Sequence, residues 1–172
     1  MLKAAKKDGR KDIITEYASL LYLDGFNIQG DFYALLKQTV PQGEWADFAT
    51  KLSERVLSMT RKEKYADICS REGWTAKLFE YVKSEKSIHP MLKYEAQLIK
   101  DYSDEIAERY IKQVYWLMIN SYNRNRTTYQ EMCALLKRIV NMGKRERVEE
   151  VKTDLKKRYA RCRALIEELG YV

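Results

Sequence analysis

The sequence predicts an all-α protein, on three observations: apolar residues recur at helical spacing along most of the chain, turn residues are scarce, and charge is abundant. Two prolines and seven glycines stand among 172 residues. That is too few for an all-β fold, whose short strands need a turn about every ten residues. Apolar residues make up 45% of the chain and charged residues 33%. Such a balance argues against disorder and suits amphipathic helices with one solvated face. The chain is also long enough to bury a core, since about 150 residues hide roughly two-thirds of their unfolded surface.

The elements follow in order. Ile13, Ile14, Tyr17, Leu20 and Leu21 mark a first helix ending at Asp24-Gly25. Phe32, Leu35, Leu36 and Val40 mark a short second one, stopped before Pro41. Trp45, Phe48, Ala49, Leu52, Val56 and Leu57 mark the next. Tyr65, Ile68 and Cys69 lead to Gly73, and Trp74, Leu78, Phe79 and Val82 make a partner helix. Met91, Tyr94, Leu98 and Ile99 close the first half.

The second half is cleaner. Ser103 is placed to cap a helix whose stripe runs through Ile106, Tyr110, Val114, Leu117 and Met118 and ends near Ser121-Tyr122-Asn123. Asp104 and Glu105 in its first turn suit the positive end of the helix dipole. Thr127 or Thr128 starts another, carrying Tyr129, Met132, Cys133, Leu136, Ile139 and Val140, and Asn141-Met142-Gly143 closes it. A third begins at Lys144 with Val148, Val151, Leu155 and Tyr159 on its apolar face. A last segment through Ala164, Leu165, Ile166 and Leu169 ends at Gly170; it reads equally as a bent continuation or as a separate helix.

About nine helices with short links force antiparallel neighbours. The expected architecture is an irregular α-α superhelix of helix pairs resembling tetratricopeptide repeats, forming one helical-repeat domain over 1–172. Within it, residues 1–100 hold the N-terminal pairs and 101–172 the C-terminal pairs with a basic end. Tyr65-x-x-Ile68-Cys69 echoes Tyr129-x-x-Met132-Cys133, but no strict period fits the chain.

No run of eighteen apolar residues is present, so no membrane span is expected. Met1-Leu2-Lys3-Ala4-Ala5-Lys6-Lys7-Asp8 carries charge without an apolar core after it and does not read as a signal peptide. Cys69, Cys133 and Cys162 are odd in number and far apart, which points to reduced thiols and a cytoplasmic location.

A family resemblance is carried by Glu105-Ile106-Ala107-Glu108-Arg109-Tyr110, Asn125-Arg126-Thr127-Thr128-Tyr129, Cys133-Ala134-Leu135-Leu136-Lys137-Arg138 and Leu155-Lys156-Lys157-Arg158-Tyr159. Arg161 and Arg163-Ala164-Leu165-Ile166-Glu167-Glu168-Leu169 complete it. The stretch from about Asp104 to Leu169 resembles the helical tail of bacterial SWIM zinc finger proteins, in which a helix pair leads to a basic segment, an arginine-rich turn and a short final helix. Gly73-Trp74 before an amphipathic helix is similar to the preceding repeats of such tails. The zinc finger itself is missing: three scattered cysteines and one histidine assemble no four-ligand motif, and Ala160 replaces the family's proline in the turn. The resemblance implies an interaction tail, with an adjoining zinc-finger domain as its natural partner.

Read for chemistry, the chain offers little to a catalyst. His89, in Ile88-His89-Pro90, has no nucleophile or orienting group suggested nearby. No phosphate-binding glycine loop, zinc-protease helix or nucleophile elbow appears, so no catalytic residue, metal or cofactor is expected. Of the cysteines, Cys162, between Arg161 and Arg163, is best placed to be reactive.

Two binding features remain. Between Lys137 and Arg163 eleven basic residues face four acidic ones, an excess equal to the formal +7 of the whole chain. Arg145, Lys156, Lys157, Arg158, Arg161 and Arg163 are the candidate basic patch, able to neutralise phosphates or meet an acidic protein. The bland alternative is a solvated helix face with cations complementing helix C-termini. Tyr110, Tyr115, Trp116 and Tyr122 are the candidate aromatic groove for a peptide, against the alternative that such rings fill the core. The expected function is a non-catalytic scaffold for a protein partner or adjoining domain, and the second expectation is a nucleic-acid-binding accessory module. Oligomeric state is not readable.

Overall fold

The computed structural model describes residues 10–24, 30–59, 62–120 and 125–172. Among them nine helices and no strand occur: α1 (Lys11–Asp24), α2 (Phe32–Thr39), α3 (Trp45–Leu57), α4 (Glu63–Arg71), α5 (Thr75–Ser84), α6 (His89–Asn120), α7 (Arg126–Asn141), α8 (Arg145–Arg158) and α9 (Arg163–Leu169). The fold is all-α. The chain forms two compact units that part between Trp74 and Thr75, whereas position 100/101 falls inside α6.

In the first unit α1 packs on α2 and α3 on α4. Asp31 caps α2, its Oδ1 accepting the Ala34 N–H at 3.0 Å. Val40 ends the helix in extended conformation (ψ 134°), as the following Pro41 requires. The core gathers Ala18, Leu23, Leu36, Ala49, Leu52, Val56 and Ile68 around a run of rings. Tyr22, Tyr33, Trp45 and Phe48 follow one another with centroids 5.5, 5.4 and 5.7 Å apart.

One carboxylate binds this unit together. Glu72, at the C-terminus of α4, accepts from Tyr33 Oη (3.1 Å), Lys37 Nζ (2.7 Å) and Trp45 Nε1 (2.9 Å), and its side chain is only 11% exposed. Burial pushes its pKa up, but the three donors outweigh that and hold it below the usual carboxylate value. Arg71 reaches back to Asp31 (2.8 Å). Lys64 Nζ donates to the carbonyls of Tyr22 and Leu23 near the C-terminus of α1, where a cation meets the negative helix end.

In the second unit α5 packs on α6, and α7 touches α6, α8 and α9. The buried face of α7 is Tyr129, Met132, Cys133, Leu135, Leu136 and Ile139. On the helices that α7 touches, Ile106, Val114, Val148, Leu155, Leu165 and Leu169 are buried as well. Helix α6 breaks at Tyr102 (φ −131°, ψ 28°), whose ring stacks on Phe79 at 4.0 Å. The break comes one residue before Ser103, the expected cap.

Helix α7 starts earlier than Thr127: Asn125 is its cap, accepting the Thr128 N–H at 3.0 Å. The chain leaves helical geometry at Tyr159 (φ −121°, ψ 36°) and resumes at Arg163, so the last two segments are separate helices. Leu20 and Leu57, expected on apolar stripes, are exposed. Leu20 lies two residues from the buried Ala18, about 200° round a helix of 3.6 residues per turn.

Gly73 (φ 68°) and Gly143 (φ 81°) close α4 and α7. In both, the N–H two residues past the helix cap returns to the carbonyl five residues back, Trp74 to Cys69 (2.8 Å) and Lys144 to Ile139 (3.2 Å). The positive φ is what makes glycine the fitting residue there.

Candidate binding surfaces of the C-terminal helices

The basic segment divides once its partners are in place. Arg138 bonds Glu95 of α6 (2.9 Å), Lys144 bonds Asp104, and Arg147 bonds Glu108 (3.0 Å) and Glu150 (2.6 Å). Lys152 pairs with Glu149 (2.9 Å). Arg158 pairs with Asp154 (2.8 Å) and its guanidinium lies 5.7 Å from the Tyr115 ring centre. Tyr115 Oη also donates to Asp154 Oδ2 (2.8 Å). Burial, and then the Asp154 bond, push the Tyr115 hydroxyl up to about 12, while Arg158 and Tyr115 hold Asp154 below its ordinary value. Arg138, Lys144 and the Arg147–Glu108 pair thus tie this segment to α6, whereas the Arg147–Glu150, Lys152–Glu149 and Arg158–Asp154 pairs lie within α8, which Tyr115 of α6 joins through Asp154 and Arg158.

Of the six nominated cations, Arg158 is therefore committed to the fold. Arg145, Lys156, Lys157, Arg161 and Arg163 are exposed and make no ion pair among the described residues. They do not form one patch. Arg145 opens α8 and Lys157 lies near its end, separated by about 18 Å at 1.5 Å per residue.

Two concavities accompany these ends. The larger, about 1300 Å³, runs along α8 from Arg145 to Lys157 and is lined by six carboxylates (Asp104, Glu108, Glu146, Glu149, Glu150, Asp154) and four cations (Lys144, Arg145, Arg147, Lys157). Its balance is acidic, and several of those charges already neutralise one another. The smaller, about 600 Å³, sits at the turn between α8 and α9 and is lined by Tyr129, Lys157, Arg158, Tyr159, Ala160, Arg161 and Cys162. It has three cations and no carboxylate.

The expected aromatic groove is not assembled. Tyr110 is fully buried and donates its hydroxyl to Glu95, because its position on the apolar stripe of α6 turns it into the core. Burial, reinforced by Glu95, pushes its pKa well above the ordinary tyrosine value. Tyr115 is half-buried against Asp154, and Tyr122 lies outside the described residues. Of the three described candidates Trp116 alone is exposed, at 54%, with Ile119 one turn on at 74%. Ile119 escaped the groove reading, although the stripe Ile106, Tyr110, Val114, Met118 leaves both Trp116 and Ile119 off the buried face.

The remaining candidates are quiet. Cys69 and Cys133 are buried, and desolvation, then nearby Glu168, pushes the Cys133 thiol up to about 11. Cys162 donates its S–H to Tyr129 Oη at 3.0 Å. His89 is exposed at the start of α6, its backbone N–H on Ser87 Oγ (3.2 Å). Among the described residues no group of three or more histidine, cysteine or acidic side chains could hold a metal ion, and no helix is long and apolar enough to cross a membrane. Comparison with protein-family models, with curated proteins and with solved structures finds no match to the chain.

Proposed function

We propose that this chain is a non-catalytic helical scaffold that holds a protein partner or an adjoining domain through the exposed face of α6, in the manner of a helical-repeat tail of the SWIM zinc finger type. The reading rests on Trp116 and Ile119, two large apolar side chains standing in solvent on one helix face. Aromatic anchors of this kind carry much of the energy of protein interfaces. The least exposed carboxylates support it as well. Glu72 and Glu168 accept from side chains of other helices, and Glu95 accepts from Arg138 of α7 as well as from Tyr110 beyond the break in α6, which uses them as ties rather than as acids or bases. The test is quantitative capture of interacting proteins by the chain and by a Trp116→Glu/Ile119→Glu variant. Loss of specific partners from the variant supports the scaffold reading, and identical captures contradict it.

The acid-free basic turn favours a second reading, a nucleic-acid-binding accessory module. It predicts binding of labelled single-stranded RNA or DNA that weakens steeply with salt.

A further inference from the structure

We propose that the turn between α8 and α9 is a binding site for a phosphate-bearing ligand of nucleotide size, the phosphate lying between Lys157 and Arg161. This deepens the second reading above, which rests on the same turn, by naming a nucleotide-sized ligand and the two residues that hold its phosphate.

Three observations carry it. The first is charge sign: Lys157 borders both concavities, and since the larger has more acids than bases around it while the smaller has no carboxylate, an anion at Lys157 is favoured on the side of the smaller pocket. The second is surplus. Cations in the last turn of α8 would be explained by its C-terminal dipole, but that end is equivalent to only about half a negative charge. In that turn Lys156, Lys157 and Arg158 include a single ion pair, Arg158 with Asp154, and Arg161 lies beyond the helix altogether, where no dipole calls for it. Arg161 and Lys157 have no ion-pair partner among the described residues, so a phosphate does not have to displace a carboxylate to reach them.

The third observation is shape. A volume of about 600 Å³ falls within the roughly 300–1,000 Å³ of small-ligand sites, far more than a bare phosphate fills. Its wall includes Tyr129 and Tyr159, and the Cys162–Tyr129 hydrogen bond fixes the turn to α7. Tyr129 is buried, so the ring available to a base beside these cations is the half-buried Tyr159.

The test is titration calorimetry of the full chain with inorganic phosphate, with adenosine monophosphate and with a short single-stranded RNA, at low and near-physiological salt. The expected result is that the nucleotide binds more tightly than phosphate. Lys157→Glu/Arg161→Glu should weaken binding by about tenfold or more, as for loss of two charge-assisted bonds. Arg145→Glu, at the far end of α8, should leave it unchanged. A mononucleotide affinity equal to or above that of the RNA identifies a free nucleotide as the ligand. A tighter RNA complex lost in the same double variant identifies a strand phosphate.

Lys157→Gln/Arg161→Gln, with helix content checked by circular dichroism, repeats the test should charge reversal disturb the fold. Absence of binding by all three probes at low salt overturns the proposal, as does binding that both double variants retain. A nucleotide bound no more tightly than phosphate overturns the assignment of ligand size.

Discussion

The two units hold their helices by different distributions of the same forces. In the first, the polar ties converge: Glu72 alone receives Tyr33, Lys37 and Trp45, and the two aromatic donors belong to the run of rings that fills the core. In the second, they are spread over Glu95, Glu168, Asp104, Glu108 and Asp154, each facing one or two partners, over a largely aliphatic core. Converging bonds leave several buried donors orphaned when one acceptor is lost, and an orphaned donor costs more than its bond contributed. Dispersed ties fail one at a time, and the exposed ones, such as Lys144–Asp104 and Arg147–Glu108, each with small effect.

The sharpest way to break this contrast is Glu72→Ala. It should destabilise the first unit by about 3 kcal/mol, since a charged acceptor with three donors is removed from a mostly dry site. Denaturant unfolding, with amide exchange of residues 31–71 as the local readout, measures it. A cost near zero would mean that water replaces the carboxylate without loss. The same residue sets an acid response. Its folded pKa lies below its ordinary value, so its contribution is full above the unfolded pKa and disappears as pH falls through the folded one. Asp31, held down by Arg71, acts in the same direction. Glu72→Gln should therefore flatten the loss of stability on acidification.

Glu95→Gln is the counterpart in the second unit, with two donors instead of three, and should cost about 1.5 kcal/mol by the same measurement. Gly143→Ala should cost about 1 kcal/mol, all of it backbone strain. Nothing lies within 4 Å of an added Cβ there, and φ is +81°. Smallest is Asp104→Asn, whose side chain is 85% exposed; its pairing with Lys144 should be worth less than about 0.5 kcal/mol and vanish in high salt. A rim pair costing as much as Glu72 would abolish the distinction between the units.

What could be read from the sequence was what is local. The stripe Ile106, Tyr110, Val114, Met118 is buried throughout because a helix face is decided by neighbours three and four residues away. The glycine stops at Gly73 and Gly143 were equally legible, and for that reason neither announced that the chain divides at Trp74/Thr75. The two stops have the same bonds, and only packing distinguishes a turn within a unit from one between units.

The basic segment shows the limit more plainly. Lys144 and Arg147 looked as available as Lys157, but their acids lie about forty residues back on α6. Tertiary pairing, which no spacing reveals, thus engaged Lys144 and Arg147 of the basic segment and left Arg145 and the turn without ion pairs among the described residues. The aromatic groove failed because Tyr110 sits on the stripe and Trp116 does not; that difference was present in the periodicity.

The most direct test of the scaffold account is chemical crosslinking of the chain to its partners, with mass spectrometry locating the linked residues. The account predicts crosslinks from Lys112, one turn before Trp116 on α6, that disappear in the Trp116→Glu/Ile119→Glu variant and persist in Lys157→Glu/Arg161→Glu. Partners that remain linked at Lys112 in the first variant, or that are lost only in the second, would contradict it.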